Sequence, residues 1–247
     1  MMKKKYKVGF CFLYFISMLC VSSYVEQNAS HVVKDEVSKK VMYLTFDDGP
    51  SKNTQAILDI LDKYQVKATF FVTAESEDYL DLIKVEKEKG HAIGVHTYSH
   101  DYASIYKSVD AYFEDLNKMN EIIKEQTGEY STIMRFPGGS SNTISKKYSE
   151  GIMTTLAQQV QDKGYQYYDW NASNGDGNSH TSVDGLVKQG VEEVKNQDIS
   201  MVLMHDGAGS NETVSALPTL LEYYIQEGYE FKIIDESTPM FHHHIHN

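Results

Sequence analysis

Two adjacent carboxylates close the apolar run Thr45-Phe46-Asp47-Asp48-Gly49-Pro50, and two histidines follow about fifty residues later in His96-Thr97-Tyr98-Ser99-His100. One carboxylate and two imidazoles make the donor set that holds a divalent ion while leaving positions open for water and substrate. The four-residue spacing of His96 and His100 suits a helical turn, which would turn both rings to the same ion. The other carboxylate is then surplus to the metal. An Asp that binds an ion is lost as a proton acceptor, whereas its neighbour can take the proton as water attacks. Asp48 is accordingly assigned to the metal and Asp47 to the base. Asp-Asp-Gly-Pro is also ordinary turn chemistry, with Asp capping a following helix; the distant histidine pair is what favours a site. The donors suit Zn2+, with Co2+ or another first-row ion as the alternative.

Such side chains need a scaffold that brings them together, and the hydrophobic pattern supplies one. Short apolar runs at 42–46, 68–72, 92–96, 132–136, 166–170, 201–205 and 231–234 read as buried strands. Helical periodicity fills the intervals at 54–64, 78–89, 109–126, 152–163, 183–196 and 214–227, and Gly90, Gly128, Gly164 and Gly228 stand near the ends of four of these as stop signals. Seven strands alternating with six helices through short loops imply an α/β fold with parallel pairing, either an open doubly wound sheet or a closed barrel. Asp47, His96, Arg135, Asp176 and His205 all fall at or just past strand C-termini, where both architectures build their sites.

The chain has 247 residues, 41% of them apolar, enough for a substantial core. A net charge of -12 lacks the clustered Lys and Arg that phosphate backbones require, which excludes nucleic acid as a partner. Lys3, Lys4, Lys5 and Lys7 precede an apolar stretch at 8–21 and then Ser22 and Ser23, the layout of a secretory signal or an uncleaved N-terminal membrane anchor over 1–23. A linker over 24–40, a catalytic domain over 41–236 and a His-rich tail over 237–247 follow. Both cysteines, Cys11 and Cys20, lie in the leader, so the exported part has no thiol for a disulfide or a nucleophile. The expected product is a monomer, secreted or held at the cell surface. His91 and His180 read as solvated, and the tail histidines 242–244 and 246 as an adventitious metal binder.

At this point the sequence resembles the polysaccharide deacetylase family, grouped as carbohydrate esterase family 4. Thr45-Phe46-Asp47-Asp48-Gly49 is similar to its first motif, His96-Thr97-Tyr98-Ser99-His100 to its second, Arg135-Phe136-Pro137 to its third and Leu203-Met204-His205 to its fifth, in family order over about 160 residues. The resemblance implies a distorted (β/α) barrel of seven to eight parallel strands, and an N-acetylated glycan as substrate. It further implies Asp48, His96 and His100 as metal ligands, Asp47 as base, Arg135 as its holder and His205 as the acid that protonates the departing amine. Pro137, Gly138, Trp170 and Leu203 would contact substrate, Leu203 at the acetyl methyl. Two departures stand out. Gly138-Gly139 follow Pro137 where the family commonly has Tyr, which leaves a backbone donor at Gly138 and is expected to widen the groove. In the fourth motif Asp176, with Gly177 in place of the usual Trp, is the better match counting from Trp170 and Asp169 is the competitor; either would orient His205 and raise its pKa. The implied activity is removal of N-acetyl groups from GlcNAc residues. An O-acetyl xylan esterase, or an inactive glycan-binding module, is the alternative.

Overall fold

The computed structural model describes residues 39–178 and 181–246, so the expected leader, nearly all of the expected linker and His180 lie outside the described residues. The central strand β1 (Val41–Asp47) is buried along almost its whole length, as a parallel strand covered on both faces must be. On one side the sheet continues through β2 (Thr69–Val72), β3 (Ala92–Val95), β4 (Ile133–Met134) and β5 (Gln166–Tyr167). On the other lie β7 (Ile199–His205) and then β6 (Ala172–Ser173), while β8 (Glu230–Phe231) pairs with the first residues of β1. Every pairing is parallel. The sheet is the expected curled α/β barrel. Its unforeseen strand is β6, two residues being too few to show alternation.

Seven helices surround the described sheet: α1 (Thr54–Tyr64), α2 (Leu82–Glu88), α3 (Tyr102–Ile105), α4 (Val109–Thr127), α5 (Ile152–Asp162), α6 (Val183–Val194) and α7 (Asn211–Gln226). On α1 the stripe Ile57, Leu58 and Leu61 is fully buried, each side chain worth about 1.5–3 kcal/mol of transfer free energy. The Ser108 hydroxyl caps α4 by accepting from the Ala111 N–H at 3.2 Å. The expected 78–89 helix opens as a 3-10 turn at Glu77–Tyr79 and becomes α-helical only at Leu82.

The two sheet edges, β5 and β6, share no ladder; residues 168–171 pass between them instead. Strand edges leave backbone groups to be satisfied, and here the Arg135 side chain and the C-terminal segment do it. The Arg135 guanidinium donates to the carbonyls of Tyr168 (2.8 Å) and Asp169 (3.1 Å), and the Asp169 N–H donates to Phe241 O at 2.7 Å. The His-rich segment therefore lies against the barrel seam. His242 stacks on Tyr167 at 3.7 Å between ring centroids, and the His243 N–H donates to the Asp169 carboxylate at 2.7 Å. His91, expected to be solvated, is buried instead. Its Nδ1 accepts from the Ala68 N–H at 3.0 Å, its ring meets the edge of Phe70, and burial lowers its pKa to about 4, so it is a neutral packing residue.

Candidate active site

Thr45 and Asp47 are two apart on β1 and so share a face; both reach the same guanidinium. Arg135, the single arginine of the chain, is completely buried just past β4 and donates to Thr45 Oγ1 at 2.7 Å and Asp47 Oδ1 at 2.8 Å. Its face lies over the Phe71 ring, 4.3 Å from the centroid. With both backbone carbonyls bound as well, the guanidinium is fixed by four hydrogen bonds.

Asp48 follows in a left-handed conformation (φ 71), and His100 adopts one too (φ 51). Such backbone is uncommon outside glycine and concentrates at functional sites. The histidines are brought together by an irregular bend rather than the expected helical turn. Asp115 on α4 holds that bend, accepting from the N–H of Tyr98 at 2.6 Å and of Ser99 at 3.2 Å. Asp48 Oδ1 stands 3.4 Å from Nε2 of both His96 and His100 and is buried with no hydrogen-bond partner. An orphaned acceptor between two imidazoles fits an ion: ligands at about 2.0–2.1 Å in tetrahedral array are roughly 3.3 Å apart. His96 Nδ1 is 2.8 Å from the Arg135 carbonyl, which can only accept, so Nδ1 carries the proton and Nε2 presents its lone pair. Burial works against the charge on Asp48, but the His96, His100 and His205 imidazoles outweigh it and lower its pKa. Burial likewise lowers that of His96, despite Asp47 and Asp48.

His205 ends β7 directly opposite Asp47 in register. Its Nδ1 is 2.7 Å from Asp176 Oδ1, while its backbone N–H and the Thr213 hydroxyl donate to Oδ2 at 2.8 and 2.6 Å. Burial opposes the imidazolium, but the hydrogen bond and charge of Asp176, with Asp48 and Asp47 behind, raise the pKa to about 9. Asp169 is engaged elsewhere, by the N–H and hydroxyl of Ser140 and by His243. Gly177 lies against His205; a Cβ there would sit 3.2 Å from its Cε1. A cleft of about 700 Å³ opens beside Asp48, Asp176 and His205.

The remaining expected contacts come from different elements. Leu203 is inward on β7 and Pro137 is buried, its carbonyl accepting from the Tyr106 hydroxyl at 2.8 Å. Trp170 lies 5.6 Å from the Arg135 guanidinium, and its carbonyl accepts from His243 Nε2 at 2.6 Å. Gly138 is exposed, and the Tyr102 hydroxyl stands 2.7 Å from where its Cβ would be. Sequence reasoning missed Thr45, Tyr102, Asp115 and Thr213. Thr45 was readable from its period-two relation to Asp47, whereas the other three are ordinary helix residues until the chain folds.

A base-type carboxylate and an acid-type imidazole facing each other across an ion pocket, at the mouth of a parallel barrel, define a hydrolase site. The family model for polysaccharide deacetylase matches residues 34–165. The chain is 31% identical over 207 residues to a peptidoglycan-N-acetylglucosamine deacetylase of Bacillus cereus, covering 81% of this chain and 71% of the relative. It is 35% identical to the peptidoglycan-N-acetylglucosamine deacetylase PgdA of Listeria monocytogenes over 83% of this chain and 40% of that protein. Among solved structures, the catalytic domain of peptidoglycan N-acetylglucosamine deacetylase from Eubacterium rectale aligns with a TM-score of 0.83 at 45% identity, covering 89% of this chain and 100% of that one. This chain belongs to the polysaccharide deacetylase family. It is thereby a glycan deacetylase, with the barrel and ordered motifs of that family.

Proposed function

We propose that this protein is an exported, divalent-metal-dependent hydrolase that removes N-acetyl groups from the GlcNAc residues of peptidoglycan. The observation that carries the reading is the placement of Asp47 and His205 on either side of the Asp48, His96 and His100 cluster: Asp47 Oδ2 is 3.9 Å from His96 Nε2, and His205 Nε2 is 4.0 Å from Asp48 Oδ2. Asp48, His96 and His100 would hold the ion, which when bound supplies Lewis-acid charge to the acyl carbonyl and activates the attacking water. Asp47, with Oδ1 occupied by Arg135, takes the proton of that water on Oδ2 as the new C–O bond forms. The C–N bond then breaks. His205 gives its Nε2 proton to the departing nitrogen, Nδ1 being held by Asp176; an amide needs this because an unprotonated amine anion leaves poorly. Peptidoglycan is favoured among acetylated glycans by the names of the relatives above.

Acetate release by the purified protein, measured on peptidoglycan, chitin oligosaccharides and acetylated xylan before and after chelation, tests this. Release from peptidoglycan, abolished by chelation and restored by Zn2+, is expected. A rate untouched by chelation would refute the metal role, and release from xylan alone would make the chain an O-acetyl esterase. Loss of His205 by substitution with Ala should abolish amide hydrolysis while sparing an activated aryl acetate, whose leaving group needs no proton. Export rests on the lysine-led apolar segment at 8–21, and cell fractionation checks it.

A further inference from the structure

Two hydrogen-bond donors with no partner among the described residues lie close together near the ion pocket, and one of them is absent from every role assigned so far. The four-residue helix α3 starts two residues after His100, capped by Asp101, which accepts from the Ala103 N–H at 3.2 Å. Its first residue, Tyr102, packs edge-on against the His100 ring at 5.6 Å and against Tyr106 at 5.4 Å. Tyr106 is buried, stacks on Tyr112 at 5.9 Å and donates to the Pro137 carbonyl at 2.8 Å, so α3 is tied to the loop that carries Gly138. The two tyrosines differ in one respect. The Tyr106 hydroxyl is used by the fold, whereas the Tyr102 hydroxyl has no hydrogen-bond partner among the described residues. It lies 2.7 Å from where a Gly138 Cβ would stand.

Gly138 is exposed, with φ +74, and its N–H also donates to nothing in the described protein, although the next N–H, of Gly139, donates to Phe136 O at 2.8 Å. A side chain at position 138 would be strained by the left-handed backbone and would displace the Tyr102 hydroxyl. We propose that the Tyr102 hydroxyl is a second oxyanion donor, paired with the Gly138 N–H and directed at the carbonyl oxygen of the acyl group under attack. The proposal rests on the deacetylase reading above. A phenol keeps its O–H through the neutral range and can donate there. A phenol that is packed in place without being hydrogen-bonded is preorganised for charge that develops only in the transition state.

The test is Tyr102→Phe in the full-length, metal-loaded protein, assayed on peptidoglycan and on an aryl acetate. An oxyanion forms on both substrates, so kcat should fall about 10- to 100-fold on each by a similar factor, with KM and melting temperature little changed. A kcat within twofold of wild type overturns the proposal. So does a rise in KM at constant kcat, which would make Tyr102 a sugar contact, or a loss confined to the amide, which would place it at the leaving group. Gly138→Ala provides a second reading in which the displaced hydroxyl must lower kcat on both substrates; an unaffected enzyme counts against the pairing. Wild-type protein that hydrolyses the aryl acetate but no acetylated glycan would overturn the deacetylase reading and leave Tyr102 testable. Inactivity on both overturns the two together.

Discussion

Asp47 and His205 are register partners at the ends of neighbouring strands, yet they are set in opposite kinds of surroundings. The Asp47 wall is dry. Its carboxylate is 3% exposed as a residue, its Arg135 partner 0%, and every contact of that guanidinium is to a strand, to the seam between strand edges or to the Phe71 face. His205 is 19% exposed at its side chain and borders the open cleft, and its partner Asp176 comes from a loop flanked by Gly175 and Gly177. One wall fixes a carboxylate by geometry; the other sets an imidazole's proton affinity by charge. In the mechanism proposed above, the acid must regain its proton from solvent each cycle, which needs the second arrangement, and the water-directing base benefits from the first.

Removing Asp47, the proposed base, gives the largest expected effect. Asp47→Asn keeps shape and most hydrogen bonding, so kcat should fall about 10²- to 10⁴-fold with the fold intact, measured as acetate release beside a melting curve. Loss of the fold would mean that the wall depends on the charge as much as on the packing. Arg135→Met should act more through stability than through chemistry, because it strands a buried carboxylate together with the carbonyls of Tyr168 and Asp169; a destabilisation of about 3–5 kcal/mol is expected by chemical denaturation. Arg135→Lys restores the charge but not the fork, and should recover only part of it. A Met variant that melts like wild type would break the contrast between the two walls.

For His205, the proposed acid, the readout is titration. In the metal-free protein the His205 ring should titrate near 9 by NMR, against an ordinary 6.5. Its folded pKa is raised, so its contribution to stability is complete below 6.5 and is lost as pH rises through about 9. Asp176→Asn removes the main raising partner and leaves burial, which pushes the other way, so the ring should titrate at or below 6.5. Amide hydrolysis should then drop on the order of 10- to 100-fold at neutral pH while an aryl acetate suffers less. A ring still titrating near 9 would show that Asp47 and Asp48, and not the loop, set the proton affinity of His205.

The same contrast explains what could be read from the sequence. Asp47, Asp48, His96, Arg135 and His205 sit at strand ends that hydrophobic periodicity locates, so their convergence follows from parallel topology. The strand and helix alternation was legible for the same reason, apart from β6, a two-residue strand with no period to detect, and α3, a four-residue turn held by Asp101. Partners on loops were less tightly determined, and motif position favoured Asp176 over Asp169, as the structure has it. Asp169 and Asp176 are seven residues apart on either side of β6, and only the path of the chain between them decides that Asp176 meets His205 while Asp169 is spent on Ser140 and the C-terminal segment. His91 misled for the converse reason: an imidazole's burial depends on what packs over it, which its neighbours in sequence do not specify.

That tail supplies the smallest and most discriminating test, because it buttresses the dry wall from outside. His243 Nε2 lies 2.6 Å from the Trp170 carbonyl, its Nδ1 lies 3.0 Å from the Ser141 hydroxyl, and its N–H binds the Asp169 whose own carbonyl receives Arg135. His243→Ala leaves the backbone bond but frees the Trp170 carbonyl and the Ser141 hydroxyl. Because both are partly accessible to water once the ring is gone, the cost should be modest, about 1–2 kcal/mol in denaturation. Trp170 loses its edge-on neighbour at 4.7 Å, so KM for a glycan oligomer should rise a few-fold. The kcat for an aryl acetate, which is too small to span the wall, should stay near wild type. A fall in kcat on both substrates would mean that the disturbance travels through Asp169 to Arg135 and moves the base, and the wall would then be less rigid than its burial implies.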